Sequence, residues 1–228
     1  AVNGESLNVL VGSIPVTDKD AKDAVKQRIM SLLHGKYGID ERDFVSAELE
    51  FVPAGPAREL GLDRSLMLGY GHDDRICSYA ALKAILDLRK VPQRTAVVLL
   101  CDKEEIGSVG ATGMESAFFE NSVAELLARC GEDRPELVLR RCLERSRMLS
   151  ADVNAVHDPN YGEVSAPNGN MAQINRGIVL SKYTGARGKS HSSEASAEFM
   201  ALIRRVFDRA GVLWQPGELG KVDQGGGG

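Results

Sequence analysis

Carboxylates follow three separate apolar stretches of this sequence. Glu104 and Glu105 come soon after residues 95–100, while Asp74 and Asp152 each lie at the edge of another predicted strand, in residues 66–75 and 150–159. The run at 95–100 lacks polar alternation, which predicts a strand buried on both faces of a parallel sheet. Ligands bind at the carboxyl ends of such strands. Acids converging there from several strands are a recurring way of holding two divalent metal ions.

The adjacent pair Glu104 and Glu105 makes a cation plausible on electrostatic grounds. Two neighbouring carboxylates at a partly buried edge raise the pKa of at least one of them, and a divalent ion removes that cost. Each acid taken singly also fits a solvated surface loop. The metal interpretation therefore depends on the acids meeting in the fold.

Composition excludes several classes of function. The 228 residues are 43% hydrophobic and 26% charged, with a net charge of -4 and scattered basic residues, so we expect no nucleic-acid partner. No apolar run reaches the roughly 18 to 20 residues of a membrane span, so we expect no membrane partner and a cytoplasmic location. The four cysteines show no C-x-x-C spacing and are interpreted as buried free thiols.

Two kinds of strand pattern predict two regions. Over residues 44–52 apolar and polar side chains alternate, which predicts a strand with one wet face in an antiparallel sheet. A Pro/Gly-rich connection at residues 53–56 marks a boundary. The predicted fold class is α/β, with a mostly parallel central sheet flanked by helices and preceded by an antiparallel domain.

Further elements follow from periodicity and end signals. Strands are predicted at residues 7–14, 177–183 and 212–214. Helices are predicted from about residue 25 to Gly35 or Gly38, from Tyr79 up to Pro92, at 115–129 and 135–149, and from a cap at Ser193 to Gly211.

The acidic segments also carry a resemblance. Residues 71–75, 102–108, 150–152 and 155–161 resemble, in order and spacing, the signature blocks of the aspartyl aminopeptidase and vacuolar aminopeptidase I family. Nearly the whole chain matches that pattern. The resemblance implies a metal-dependent hydrolase that removes N-terminal residues from peptides, with two zinc ions in a complete active site.

The resemblance also implies a role for each acid. Asp74 would bridge the two zinc ions, Glu105 would bind one ion and Asp152 the other. Glu104 would be the general base. A cis peptide bond just after the bridging residue is implied too, which here lies between Asp74 and Arg75.

Some members prefer acidic N-terminal residues, for which a basic side chain near the pocket is needed. Lys182 and Arg187, in a basic segment that also contains Lys189, are the candidates. A solvated basic loop explains the same segment. The family forms homo-oligomers, from dimers to dodecamers, through an insert domain. By the resemblance, residues 1–60 are the end of that insert and residues 61–228 are part of the catalytic domain.

The family's two histidine ligands have no counterpart among the four histidines, His34, His72, His157 and His191. The absence of an initiator methionine and the four final glycines suggest a piece of a longer protein. We therefore expect the carboxylate half of a metal site, inactive on its own. The alternatives are a hydrolase of the same fold with another specificity and a non-catalytic assembly module.

Zinc bound by oxygen ligands alone is held more weakly than zinc with imidazole support. We predict that the isolated chain retains little or no zinc after dialysis, as measured by elemental analysis. Tight, stoichiometric zinc would contradict this prediction.

Overall fold

The computed structural model describes residues 3–104, 107–164, 171–186 and 190–217. The chain divides into two units, Ala1–Tyr70 and Gly71–Gly228. The predicted assignment of residues 1–60 to an insert domain and 61–228 to a catalytic domain stays a prediction.

The first unit contains one long helix and one hairpin. Helix α1 spans Ala24–Tyr37, and strand β1 (Arg58–Leu60) pairs antiparallel with β2 (Leu66–Leu68). Short 3-10 helices lie at Gly4–Ser6 and Glu41–Val45. The predicted helix is confirmed, and it ends at Gly38, whose positive φ of 69° and N–H bond to the His34 carbonyl form a left-handed cap.

The strands predicted at 7–14, 44–52 and 95–100 are wrong for this chain. The described residues form a 3-10 helix at Glu41–Val45 and assign no strand to the other two segments. A strand needs a neighbour to satisfy its backbone N–H and C=O groups. Apolar patterning shows which faces a strand could bury, but it does not supply that neighbour. Val97 and Leu100 are accordingly each 56% exposed.

The second unit contains four helices and two pairs of strands among its described residues. Its helices are α2 (His72–Leu86), α3 (Phe118–Arg129), α4 (Pro135–Glu144) and α5 (Ala197–Ala210), with a 3-10 helix at Pro159–Val164. Its strands are β3 (Ile178–Leu180), β4 (Tyr183–Ala186), β5 (Ser190–Glu194) and β6 (Trp214–Pro216). β3 pairs parallel with β6, and β4 pairs antiparallel with β5.

Helix α5 shows how local chemistry sets an element's bounds. The Ser196 hydroxyl accepts a hydrogen bond from Phe199 N at 3.2 Å, so Ser196, and not the predicted Ser193, is the N-cap. The helix stops at Gly211, as predicted. The Trp214 indole N–H donates to Asp208 at 3.0 Å, which ties the end of α5 to β6.

A side-chain amide joins the β3–β6 pair to the segment before it. Gln215 accepts a hydrogen bond from Gln173 N at 2.9 Å and donates to the carbonyls of Gln173 and Gly177. Next to Gln173, Ala172 is fully buried. Among the described residues, only Ala172 and Leu139 are buried apolar residues.

None of the helices in the described ranges is long and apolar enough to cross a membrane.

Substitution of Gly177 tests how closely the backbones at the starts of β3 and β6 approach each other. It has φ +87°, and an added Cβ would lie 2.2 Å from the Leu213 carbonyl oxygen. Gly131 has almost the same φ, +88°, but open space around it. Gly131→Ala should lower the free energy of unfolding by about 1 kcal/mol, and Gly177→Ala by a further ~1–3 kcal/mol from the clash. Urea unfolding followed by circular dichroism measures both. Equal losses would show that the backbones are not in close contact.

Candidate metal centre

Three carboxylates meet in the second unit. Asp73 and Asp74 lie at the start of α2, and Asp152 follows α4 by eight residues. One carboxylate oxygen from each lies within 4.8 Å of the others. We call these three residues the Asp cluster.

The beginning of α2 contributes two consecutive acids, Asp73 and Asp74, to the Asp cluster. Gly71 precedes them with φ 69°, and neither Asp73 nor Asp74 has helical backbone angles. The peptide bond between Asp73 and Asp74 is cis. The predicted position of the cis bond, between Asp74 and Arg75, is therefore wrong by one residue. Regular helical backbone begins only at Arg75, so both acids precede the first full turn.

Backbone contacts hold the segment that carries Asp152. The Val153 N–H donates to Asp152 Oδ1 at 2.7 Å. Four residues after Asp152, Val156 forms a parallel bridge with Ala172, and His157 N donates to the Ala172 carbonyl at 2.9 Å. Ala172 adjoins Gln173, which bonds the side chain of Gln215, so the segment that carries Asp152 is linked to β6 through that side-chain amide.

The surroundings of Asp152 disfavour its charged form. Burial raises the pKa of Asp152, and the nearby charges of Asp74 and Asp73 raise it further, while the Val153 N–H acts in the opposite direction. Cys77, on the first turn of α2, responds to the same environment. Burial, a hydrogen bond with Asp74 and the cluster's charges raise the pKa of its thiol to about 12.

The donor set fits a divalent cation. Asp74 Oδ1 is buried and has no hydrogen-bond partner among the described residues. An unsatisfied buried carboxylate oxygen is costly, and two further carboxylates beside it increase the repulsion. A divalent ion offsets both costs. Carboxylate oxygen is an established zinc ligand in proteins.

The structure brings together only some of the residues selected from the sequence. Asp74 and Asp152 are both in the cluster, and their role as ligands stays a prediction. Glu104 is exposed and is not a member of the cluster. Glu105 lies outside the described residues.

Asp73 and Asn154 were missed by sequence reasoning. Asp73 was visible as half of an acidic pair, but only Asp74 was selected from that pair. The side-chain oxygen of Asn154, two residues after Asp152, is buried without a hydrogen-bond partner among the described residues. Its position in the sequence carries no signal that distinguishes it from a loop asparagine.

The proposed substrate-binding basic residues are only partly described. Lys182 Nζ forms an ion pair with Glu194 at 2.7 Å and lies 4.2 Å from the centre of the Tyr183 ring. The bond to Glu194 raises the pKa of Lys182. Arg187 and Lys189 lie outside the described residues.

Similar proteins identify the family. Residues 3–228 match the model of the aminopeptidase I zinc metalloprotease family, M18. The chain is 53% identical over 227 residues to a probable M18 family aminopeptidase 1 from Clostridium acetobutylicum, covering 100% of this chain and 48% of that protein. A probable M18 family aminopeptidase 1 from Thermotoga maritima is 45% identical over 225 residues, covering 99% of this chain and 49% of that protein.

Solved structures of M18 aminopeptidases are similar to this chain as well. The M18 family aminopeptidase from Thermotoga maritima superposes with a TM-score of 0.83 at 46% identity, covering 95% of this chain and 47% of that one. Aminopeptidase I from Clostridium acetobutylicum gives 0.80 at 52% identity, covering 97% and 47%. The predicted α/β fold class is confirmed by these neighbours.

The chain spans about half the length of the curated relatives that it matches. The order of acidic segments, the family model and the superpositions agree along almost all of it, and this chain belongs to the aminopeptidase I zinc metalloprotease family, M18.

Proposed function

We propose that the protein containing this chain is a zinc-dependent aminopeptidase that removes N-terminal residues, acidic ones among them, from peptides. The observation that carries the proposal is the Asp cluster, in which three acids lie within 4.8 Å of one another. Membership of a zinc metalloprotease family supports zinc as the metal. Two zinc ions per complete site are part of the proposal.

The chain's own carboxylates would hold the metal. Asp73, Asp74 and Asp152 offer their clustered oxygens, and Glu105 is a further ligand by resemblance to the family. Bound zinc would make a water molecule acidic near neutral pH and would polarise the peptide carbonyl.

Glu104 supplies the base. Its carboxylate accepts the proton of the attacking water. The Glu104 side chain is exposed, so that water can reach it. The Val153 N–H bond to Asp152 Oδ1 holds one acid in a single orientation. Together these residues orient the reacting groups and remove a proton, which is the work that a metallopeptidase requires of its side chains.

Lys182 is the candidate for recognising an acidic N-terminal residue, with Arg187 beside it in the sequence. The ion pair with Glu194 is formed by side chains that are 31% and 67% exposed. Such a pair contributes little stability, so a substrate carboxylate can compete for Lys182. The peptide substrates, the homo-oligomer and the cytoplasmic location stay predictions.

The activity is tested with aspartyl and leucyl anilides on the protein containing this sequence at the length of its relatives. We expect release of the amine, loss of release with a chelator and recovery with Zn²⁺. Chelator-sensitive cleavage of other acylated amines, with no release from either anilide, would favour a same-fold hydrolase of another specificity. Absence of any hydrolysis would favour an assembly module.

Glu104→Gln in that protein should lower kcat by about 10²–10⁴-fold, because the amide cannot accept the water's proton. Zinc content, measured by elemental analysis, should not change. Glu120→Gln, an exposed acid in the first turn of α3, is the matched control and should retain activity. Unchanged kcat in Glu104→Gln would remove Glu104 from the mechanism.

Asp152→Asn should have opposite effects with and without metal. Removing one of three mutually repelling charges should raise the unfolding midpoint of the metal-free chain. The same change should weaken metal binding by about tenfold or more, because one charged ligand is lost. Thermal unfolding with and without added Zn²⁺ measures both effects, and Asp133→Asn in an exposed loop is the control. A lower metal-free midpoint would show that Asp152 stabilises the fold instead of straining it.

A further inference from the structure

We propose that Gly113 is a positioning residue for Glu104: its bare Cα leaves the room that the Ser108 carbonyl needs, and Ser108 closes the turn that holds the Glu104 backbone. This inference deepens the proposed function and rests on it, since it concerns the orientation of the same base. Gly113 acts through Ser108 and is not itself a catalytic residue.

Two backbone hydrogen bonds hold the turn that follows Glu104. The Glu104 carbonyl accepts from Gly107 N at 2.8 Å and from Ser108 N at 3.1 Å. Ser108 has φ 61°, in the left-handed region. A residue with a Cβ atom is strained in that region. The turn therefore needs contacts from elsewhere in the chain to keep Ser108 in place.

The segment before α3 supplies those contacts. Glu115 N donates to the Ser108 carbonyl at 3.1 Å. Gly113 is buried and lies against the same carbonyl group, so that an added Cβ would be 2.7 Å from the Ser108 carbonyl carbon and would overlap its oxygen. The φ of Gly113 lies outside the left-handed region. Close approach to Ser108, and not backbone conformation, therefore requires glycine at this position.

A side-chain contact joins the start of this loop to the same segment. Cys101 Sγ lies 3.6 Å from Met114 Sδ, within reach of a weak hydrogen bond from the thiol. Glu104 thus lies between two contacts with the segment before α3, one made by Cys101 and the other by Ser108. A base must be held close to its productive position, because a displacement of about 1 Å can lower the rate by about 10²-fold.

The first test measures the turn itself in the 228-residue chain, without metal. Hydrogen exchange followed by nuclear magnetic resonance should show protected amides at Ser108 and Glu115 in the unchanged chain. Gly113→Ala should speed the exchange of both amides by about tenfold or more, because the added methyl group displaces the Ser108 carbonyl. The amide of Ile178, which donates to the Leu213 carbonyl at 3.0 Å, should keep its rate if the rest of the unit stays folded.

Gly35→Ala is the matched control, since it adds the same methyl group in open space on α1 and should leave the exchange of both loop amides unchanged. Unchanged exchange of Ser108 and Glu115 in Gly113→Ala would overturn the inference. So would exchange of the Glu115 amide at the random-coil rate in the unchanged chain, a result that depends on no variant.

The second test asks whether Gly113 acts through Glu104, in the protein at the length of its relatives. Gly113→Ala should lower kcat by about 10–100-fold with little change in KM. In the Glu104→Gln background the same change should have little further effect, because the base that it displaces is already lost. Zinc content, measured by elemental analysis, should be equal in all of these variants.

Equal losses of kcat in the two backgrounds would overturn the inference, because damage to the rest of the site adds to the loss of the base. Unchanged kcat in Gly113→Ala would overturn it as well. If Glu104→Gln alone retains full activity, the proposed base fails and the inference about its orientation falls with it. The exchange rates show separately whether Gly113 holds the turn.

Discussion

Mutual repulsion among three carboxylates is the constraint on which the second unit depends. Asp73, Asp74 and Asp152 each place an oxygen within 4.8 Å of the other two. Burial, and then the charges of Asp74 and Asp73, raise the pKa of Asp152. A fold that keeps such a group together without a cation loses stability. This cost supports the proposed metal site.

Backbone structure, and not attraction between side chains, holds the acids in place. Asp73 and Asp74 lie at the start of α2, before the helical backbone becomes regular. The bridge between Val156 and Ala172 anchors the segment that carries Asp152. Gln215 extends that anchor to β6 through its bonds to Gln173. Acids that repel each other need such external support, because their own interaction would separate them.

The same chain leaves many apolar side chains uncovered. Leu139 and Ala172 are its buried apolar residues within the described ranges, whereas the predicted interior strand at 95–100 is largely exposed. The curated relatives are about twice as long as this chain. Among the described residues no strand pairs with residues 95–100, and their backbone is not assigned to a sheet.

Sequence alone determined the features that depend on near neighbours along the chain. Periodicity and end signals located α1, α3, α4 and α5, although α4 ends at Glu144 and not near residue 149. The order of the acidic segments was sufficient for the family, and it selected Asp74 and Asp152, whose carboxylates the fold brings together. Tertiary structure decided that Asp73 joins them, that the cis bond precedes Asp74 and that Lys182 pairs with Glu194. Helix signals act within a few residues, whereas Asp74 and Asp152 are 78 positions apart in the sequence. Contacts over that separation depend on how whole elements pack, and no local pattern specifies them.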